Sequence, residues 1–158
     1  MPTTSIPAPR AGAHYRSPGW VTRNVLNRLV TRLTRMGMSV WGSRVLEVPG
    51  RRSGRLQQVP VNLLRVDGQQ YLVSARGHGQ WVRNVRANDG GLDLIVGHRR
   101  SSHIAHELAD GEKADVLRAY LKRWKAEVGV FFDGVDARST DDELLAIAPD
   151  HPVFRLDA

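Results

Sequence analysis

Cysteine is absent from the 158 residues, which excludes disulfides, zinc–cysteine sites and thiol chemistry together. No apolar run approaches the roughly 18 residues that a membrane span needs. Residues 1–18 hold Pro, Thr, Ser and Ala but no continuous apolar block, so no secretory leader is expected and a cytoplasmic location is. No Gly-x-Gly-x-x-Gly follows a strand, and Gly-x-x-x-x-Gly-Lys-Ser/Thr is missing. A Rossmann dinucleotide site and a P-loop are therefore not expected. Aromatics are only 6%, and Trp20 and Trp41 flank the arginine-rich stretch rather than interleave with it. That argues against a stacking platform for single-stranded nucleic acid.

Positive charge is abundant, and its placement is uneven. The net charge is +7. Residues 1–65 hold eleven arginines against the single acid Glu47, whereas residues 101–158 hold seven basic and twelve acidic residues. The front of the chain wants an anion and the back does not. Nucleic acid, a membrane surface and a phosphorylated, carboxylated cofactor all meet that description. Arginine outnumbers lysine twenty to three, and arginine is the better fork for phosphate and carboxylate.

Residues 1–17 have no period and read as a disordered N-terminus, ahead of a single domain over 18–158. From Trp20 to Met36 the pattern is helical: Val21, Val25, Leu29, Leu33 and Met36 recur every three or four residues, with Arg23, Arg28, Arg32 and Arg35 between them. This basic amphipathic helix suits packing on the domain body or a peripheral membrane contact through residues 20–36. A β-rich block follows. Strands are predicted at Val45–Val48, Gln57–Arg65, Gln70–Ser74, Leu92–Val96, Ser102–Leu108 and Val153–Leu156. Pro60 marks an edge or bulge, and Asp67-Gly68 is a hairpin turn. Helices are predicted from Trp81 to Asn88, from an Asp110 cap to about Val128, and from Asp141 to Ala148, with Phe131 and Phe132 in a loop. About six short strands with few helices make a mainly β (α+β) fold: a small barrel with peripheral helices.

Two segments carry chemistry. Gly50-Arg51-Arg52-Ser53-Gly54-Arg55 brackets two arginines and a hydroxyl between glycines, a turn that can present backbone N–H groups to an anion. The same residues also suit a plain basic hairpin turn. Ser74-Ala75-Arg76-Gly77-His78-Gly79-Gln80-Trp81-Val82-Arg83-Asn84 runs from a strand through glycines into a helix N-terminus, a second anion site. Trp81 offers an aromatic wall or a core contact, and Asn84 a ligand bond or a structural one. His98, His103 and His106 are close in sequence. The odd spacing of His103 and His106 puts them on opposite faces of a strand, so they are read as surface histidines rather than a metal site.

The order of these features, ending in Trp81-x-x-Asn84-x-x-Ala87-Asn88, resembles the deazaflavin-dependent nitroreductase family, which includes F420-dependent quinone reductases. The likeness is best over residues 45–107. It implies an FMN-binding-like split β-barrel with coenzyme F420 in a groove, FMN being the less favoured cofactor. Carried over, Arg51, Arg52, Ser53 and Gly54 would hold the anionic tail and phosphate. Pro60 and Asn62 would line the ring. Ser74, Ala75, Arg76 and Gly77 would bind the phosphate side and offer backbone donors, and Trp81, Val82 and Asn84 would close the pocket. No tyrosine follows Tyr120, and Phe131 and Phe132 are the weaker candidates for a substrate pocket. The resemblance implies hydride transfer from the reduced cofactor to a small organic acceptor such as a quinone, nitro compound or enone. The proton donor is left open among Ser74, His78 and solvent. The implied partners are that acceptor and a second copy in a homodimer, with no nucleic acid. The alternatives are a non-catalytic split-barrel carrier of flavin, haem or lipid, and a basic binder of membrane surfaces or nucleic acid.

Overall fold

The computed structural model describes residues 43–157. The N-terminal readings, residues 1–17 and the helix at 20–36, lie outside the described residues. The elements run β1 (Ser43–Pro49), β2 (Leu56–Val66), β3 (Gln69–Val73), α1 (Gln80–Ala87), β4 (Gly91–Val96), β5 (Arg99–Glu107), α2 (Ala114–Val128), α3 (Asp141–Ile147) and β6 (Val153–Asp157). The six strands close a barrel in the order β1-β2-β3-β6-β5-β4, and every neighbouring pair is antiparallel. This is the six-stranded barrel with peripheral helices that the strand pattern predicts. Among the described residues no helix is long and apolar enough to cross a membrane.

Alternation sorts the strands into two faces. Leu46, Leu63, Leu72, Leu94 and Phe154 fill the barrel, and α1 adds Val82 and Val85 to the same cluster. The opposite faces of β2, β3 and β6 present Leu64, Val73 and Val153 to α2, which packs Leu117, Leu121 and Trp124 on them. A barrel core and a helix-on-sheet core therefore share one set of strands.

β2 is the element that shapes the site. Its residues Leu56–Asn62 pair with β1, and Leu63–Val66 pair with β3. β3 is only five residues long, so among the described residues the first seven positions of β2 have a strand on one side alone. The β2–β3 turn fixes which way the backbone faces there. Asp67 and Gly68 both have positive φ, 49° and 78°, as a two-residue primed turn requires, and Val66 and Gln69 flank it as a mutually bonded pair. Even-numbered β2 residues thus aim N–H and C=O toward β3. Past the last β2–β3 pair, Leu63 with Leu72, the same parity points Pro60 and Gln58 into the open side, with Asn62 at its inner edge. Pro60 fits because its missing N–H falls where no ladder bond is lost.

Some boundaries differ from expectation. Asp110 does not cap the long helix: it opens a 3-10 turn, Asp110–Glu112, and α2 starts at Ala114 after Lys113, without a side-chain cap. Lys113 is buried, its ammonium donating to Asp110 Oδ1 (2.7 Å) and to the carbonyl of Ala148 (2.9 Å). Phe131 ends another 3-10 turn, Gly129–Phe131. The acidic start of α3 has a device besides its charge. Thr140 Oγ1 accepts from the Glu143 amide (3.2 Å), and the Thr140 amide donates to Glu143 Oε2 (2.8 Å), a capping box.

Two expectations test the barrel. Gly90 has φ +83°, and a Cβ there would stand 2.3 Å from the Ala105 carbonyl oxygen. Gly90→Ala should destabilise by about 2–4 kcal/mol, combining left-handed strain with a backbone clash, as read by chemical denaturation. On the barrel's outer face Glu47 accepts from Arg100 and from Gln58 Nε2 (2.6 Å). The bonds from Arg100 and then Gln58 hold its carboxyl below the ordinary 4.5. Its stabilising contribution is therefore complete above the unfolded value and lost as pH falls through the lower folded value. Glu47→Gln should lower Tm near neutrality, and the gap to the parent should close as melts are taken toward about pH 3.

Candidate active site

A groove of about 470 Å³ opens along the half of β2 that has a strand on one side alone among the described residues, a volume within the usual range for small-molecule sites. One wall is β2 itself, Gln57 to Asn62. The facing wall is the β3–α1 loop and the start of α1, with Ser74, Ala75, Arg76, Gln80, Trp81 and Asn84. Tyr120, Val128 and Phe131, from α2 and the turn after it, close one end. The described lining contains Arg76, five side-chain amides and no carboxylate.

Local sequence accounts for this arrangement. Ser74 is the first residue past β3, and its amide donates to the Pro152 carbonyl (2.9 Å), tying the loop to the start of β6. Its hydroxyl donates to the Gly77 carbonyl (2.5 Å), and Gly77 takes φ +93°, which a side chain would resist. The loop then delivers Gly79, the N-cap of α1, which caps with no side chain. The first turn of α1 thus opens onto the groove with backbone N–H groups that no side chain caps. Trp81 stands between groove and core: it lines the groove and tilts against Phe154 at 5.7 Å between ring centroids. Arg76 lies 4.9 Å over the Phe131 ring, so the cation and the aromatic end wall hold each other.

Of the residues singled out from sequence, Pro60, Asn62, Ser74, Ala75, Arg76, Trp81, Asn84 and the weaker candidate Phe131 line the groove together. Arg52, Ser53 and Gly54 are exposed in the β1–β2 turn beside it. Arg51 belongs to that turn but is bound to the protein. Its amide donates to Asn84 Oδ1 (3.1 Å), and Nη1 donates to both Asn84 Oδ1 (3.0 Å) and Gln80 Oε1 (2.7 Å). Gly77 is buried within the loop. Two residues fall elsewhere. Val82 is 0% exposed and sits in the barrel cluster, because the helix that turns Trp81 to the groove turns its neighbour inward. Phe132 is buried in the helix-on-sheet core, stacked on His151 at 4.2 Å, while Phe131 beside it faces the groove.

Neither side chain weighed as proton donor is well placed. The Ser74 hydroxyl is spent on Gly77. His78 is not part of the groove wall: Nε2 is 2.8 Å from the Pro149 carbonyl, and Nδ1 is 3.2 Å from Arg86 Nη1. His106 pairs with Asp157 (2.7 Å) on the barrel surface, and His103 meets the Ser101 hydroxyl (2.8 Å). Sequence reasoning missed Gln80, whose signal is its i, i+4 spacing from Asn84 on one helix face. It also missed Gln57, Gln58 and Val128, which carry no motif.

The donor set suits a flat, oxygen-rich, anionic ligand. Amides and outward-facing backbone groups offer hydrogen bonds along one edge, Trp81 and Pro60 offer flat apolar surface, and Arg76 with the start of α1 offers an anion site. A deazaflavin with its phosphate fits that chemistry, and the absence of carboxylates from the lining among the described residues spares its anionic groups a like-charge neighbour.

Comparison with known proteins leads to the same chemistry. A solved structure described as a domain-swapped dimer is 20% identical, with TM-score 0.51, and covers 87% of this chain and 97% of that one. Atu2129 from Agrobacterium tumefaciens, of unknown function, is 15% identical with TM-score 0.51, over 83% of this chain and 54% of that one. An F420-H2 dependent reductase, FDR-A, is 20% identical over 73% of this chain and 94% of that one, with TM-score 0.48. None of the curated proteins matches. The model of the F420H(2)-dependent quinone reductase family matches residues 14–139. Most of the sequence falls under that match, and the chain belongs to the F420H(2)-dependent quinone reductase family, an oxidoreductase whose cofactor is coenzyme F420.

Proposed function

We propose that the groove along β2 holds the deazaflavin ring, and that the enzyme reduces a flat conjugated acceptor: a quinone, nitro compound or enone. The observation that carries this reading is the pairing of an open strand edge with a wall that, among the described residues, holds Arg76, Trp81 and Asn84 and no carboxylate. In this reading the outward carbonyl of Pro60 and the amide of Asn62 bond the polar edge of the ring. Trp81 supports the ring, and Arg76 with the N-terminal turn of α1 receives the phosphate. Arg52, Ser53 and Gly54, exposed in the neighbouring turn, meet the anionic tail. Phe131, Tyr120 and Val128 form the apolar end against which the acceptor stacks.

The bound cofactor, when reduced, supplies the hydride, and the protein supplies position and field. The chain's share is to hold donor and acceptor at near-attack distance, roughly 3–3.5 Å, and to exclude water from the ring face with Trp81 and Phe131. With Ser74 bonded to Gly77 and His78 engaged outside the groove wall, the proton that completes acceptor reduction comes from solvent through the groove mouth.

The test is anaerobic turnover of reduced F420 with a simple quinone, a nitroaromatic and an enone, followed by return of the oxidised cofactor's absorbance. The reading expects acceleration over the protein-free rate with at least one acceptor. Arg76→Ala should raise the cofactor KM about tenfold, as loss of one charge-assisted contact implies. Absence of acceleration with all three acceptors would contradict the acceptor class. Tight binding of FMN without any of F420 would favour a flavin carrier.

A further inference from the structure

We propose that Arg51 is an orienting residue rather than an anion ligand: it turns Asn84 and Gln80 so that their amide NH2 groups form a donor wall for ligand oxygens. The inference rests on the cofactor reading above and reassigns one of its expected tail-binding arginines.

A carboxamide has one accepting oxygen and one donating nitrogen, and neighbours decide which faces where. The backbone N–H of Arg51 can only donate, and so can its guanidinium. Both meet Asn84, 33 positions away in sequence, at 3.1 and 3.0 Å. The atom facing Arg51 must therefore be Oδ1. The same guanidinium nitrogen donates to Gln80 at 2.7 Å, which makes that atom Oε1. With both oxygens turned to Arg51, both NH2 groups are left to act elsewhere.

Asn84 is only 5% exposed, yet it lines the groove, and among the described residues nothing accepts from its Nδ2. That donor reaches the groove and is left for water or a ligand oxygen to complete. Gln80 lies one turn earlier on the same face of α1 and also lines the groove. Arg76 is the third donor on that side. The wall accordingly favours carbonyl and phosphate oxygens and disfavours ligand N–H groups, which would meet donor against donor. Arg51 is committed three times over to the protein, whereas Arg52 beside it is exposed.

The decisive substitution is Asn84→Asp. The carboxylate keeps both bonds from Arg51, now charge-assisted, so the fold should hold. It replaces the NH2 donor with an acceptor. Two forms of the oxidised cofactor serve as probes in fluorescence titrations: F420, and the deazaflavin lacking phosphate and tail. Side-chain 15N relaxation of Asn84 and Gln80 is measured in parallel on the protein without cofactor. We expect Asn84→Asp to keep the parent's Tm and to weaken both probes about tenfold or more, the cost of one lost and inverted bond. Arg51→Ala should release the Gln80 amide to fast motion, loosen Asn84 by leaving it only the bond from the backbone amide of position 51, and weaken both probes at low and high salt alike.

Loss confined to the phosphorylated probe and erased by salt in Arg51→Ala would make Arg51 an anion ligand and overturn the inference. Unchanged rigidity of the Gln80 amide in Arg51→Ala, or undiminished binding in Asn84→Asp, would overturn it as well. Failure of the parent protein to bind either probe would defeat the cofactor reading and the ligand half of this inference, while the relaxation comparison would still decide the orienting role.

Discussion

β2 outlasts β3, and the rest of the site depends on that mismatch. A strand of eleven residues beside one of five leaves backbone polar groups without a sheet partner among the described residues. Such groups are tolerated only where water or another polar partner reaches them, so the groove beside them stays open to one. Pro60 is compatible with that edge and with no interior position. The β3–α1 loop begins where β3 stops, which is why Ser74, Ala75 and Arg76 confront the open edge instead of extending it.

The groove's facing wall is held from behind. Ser74 is fastened to Pro152 through its amide and to Gly77 through its hydroxyl, and α1 is anchored by Val82 and Val85 in the barrel core. On the other flank, Arg51 staples the β1–β2 turn to α1. At the aromatic end Tyr120 is backed by Trp124 and Phe132, whose rings its own ring contacts. The wall is thus preorganised by contacts behind it, which lowers the ordering cost of binding. The positive charge of the chain's front half is consistent with a polyanionic cofactor.

Much of this was legible in the sequence. Strand positions followed from alternation and from turn residues. Asp67-Gly68 named the hairpin and, through it, the register. Pro60 marked the edge. The glycine loop and Trp81-x-x-Asn84 marked the facing wall. What escaped involved either neighbours far apart in sequence or the rotation of a short element. Nothing local says that Arg51 binds Asn84 across 33 positions. On an eight-residue helix Trp81 and Val82 are equally eligible for the groove, and only packing against Phe154 decides between them. Phe131 and Phe132 present the same ambiguity in a 3-10 turn. Asp110 was mistaken for a cap because the residue type is right, while the intervening 3-10 turn moved the helix start to Ala114. Lys113 and His151 are buried although their types favour the surface, because Ala148, Asp110, Ser74 and Phe132 provide partners.

Residue-resolved amide hydrogen exchange, with and without saturating oxidised F420, tests the open strand edge most directly. Leu64 and Asn62 lie on the same parity of β2, one paired with β3 and the other just past the last pair. The account predicts slow exchange at Leu64 in both states, and exchange at Asn62 that is fast alone and slows when the cofactor binds. Equal exchange at Asn62 in the two states, under conditions where binding is saturated, would place the cofactor elsewhere and contradict the account.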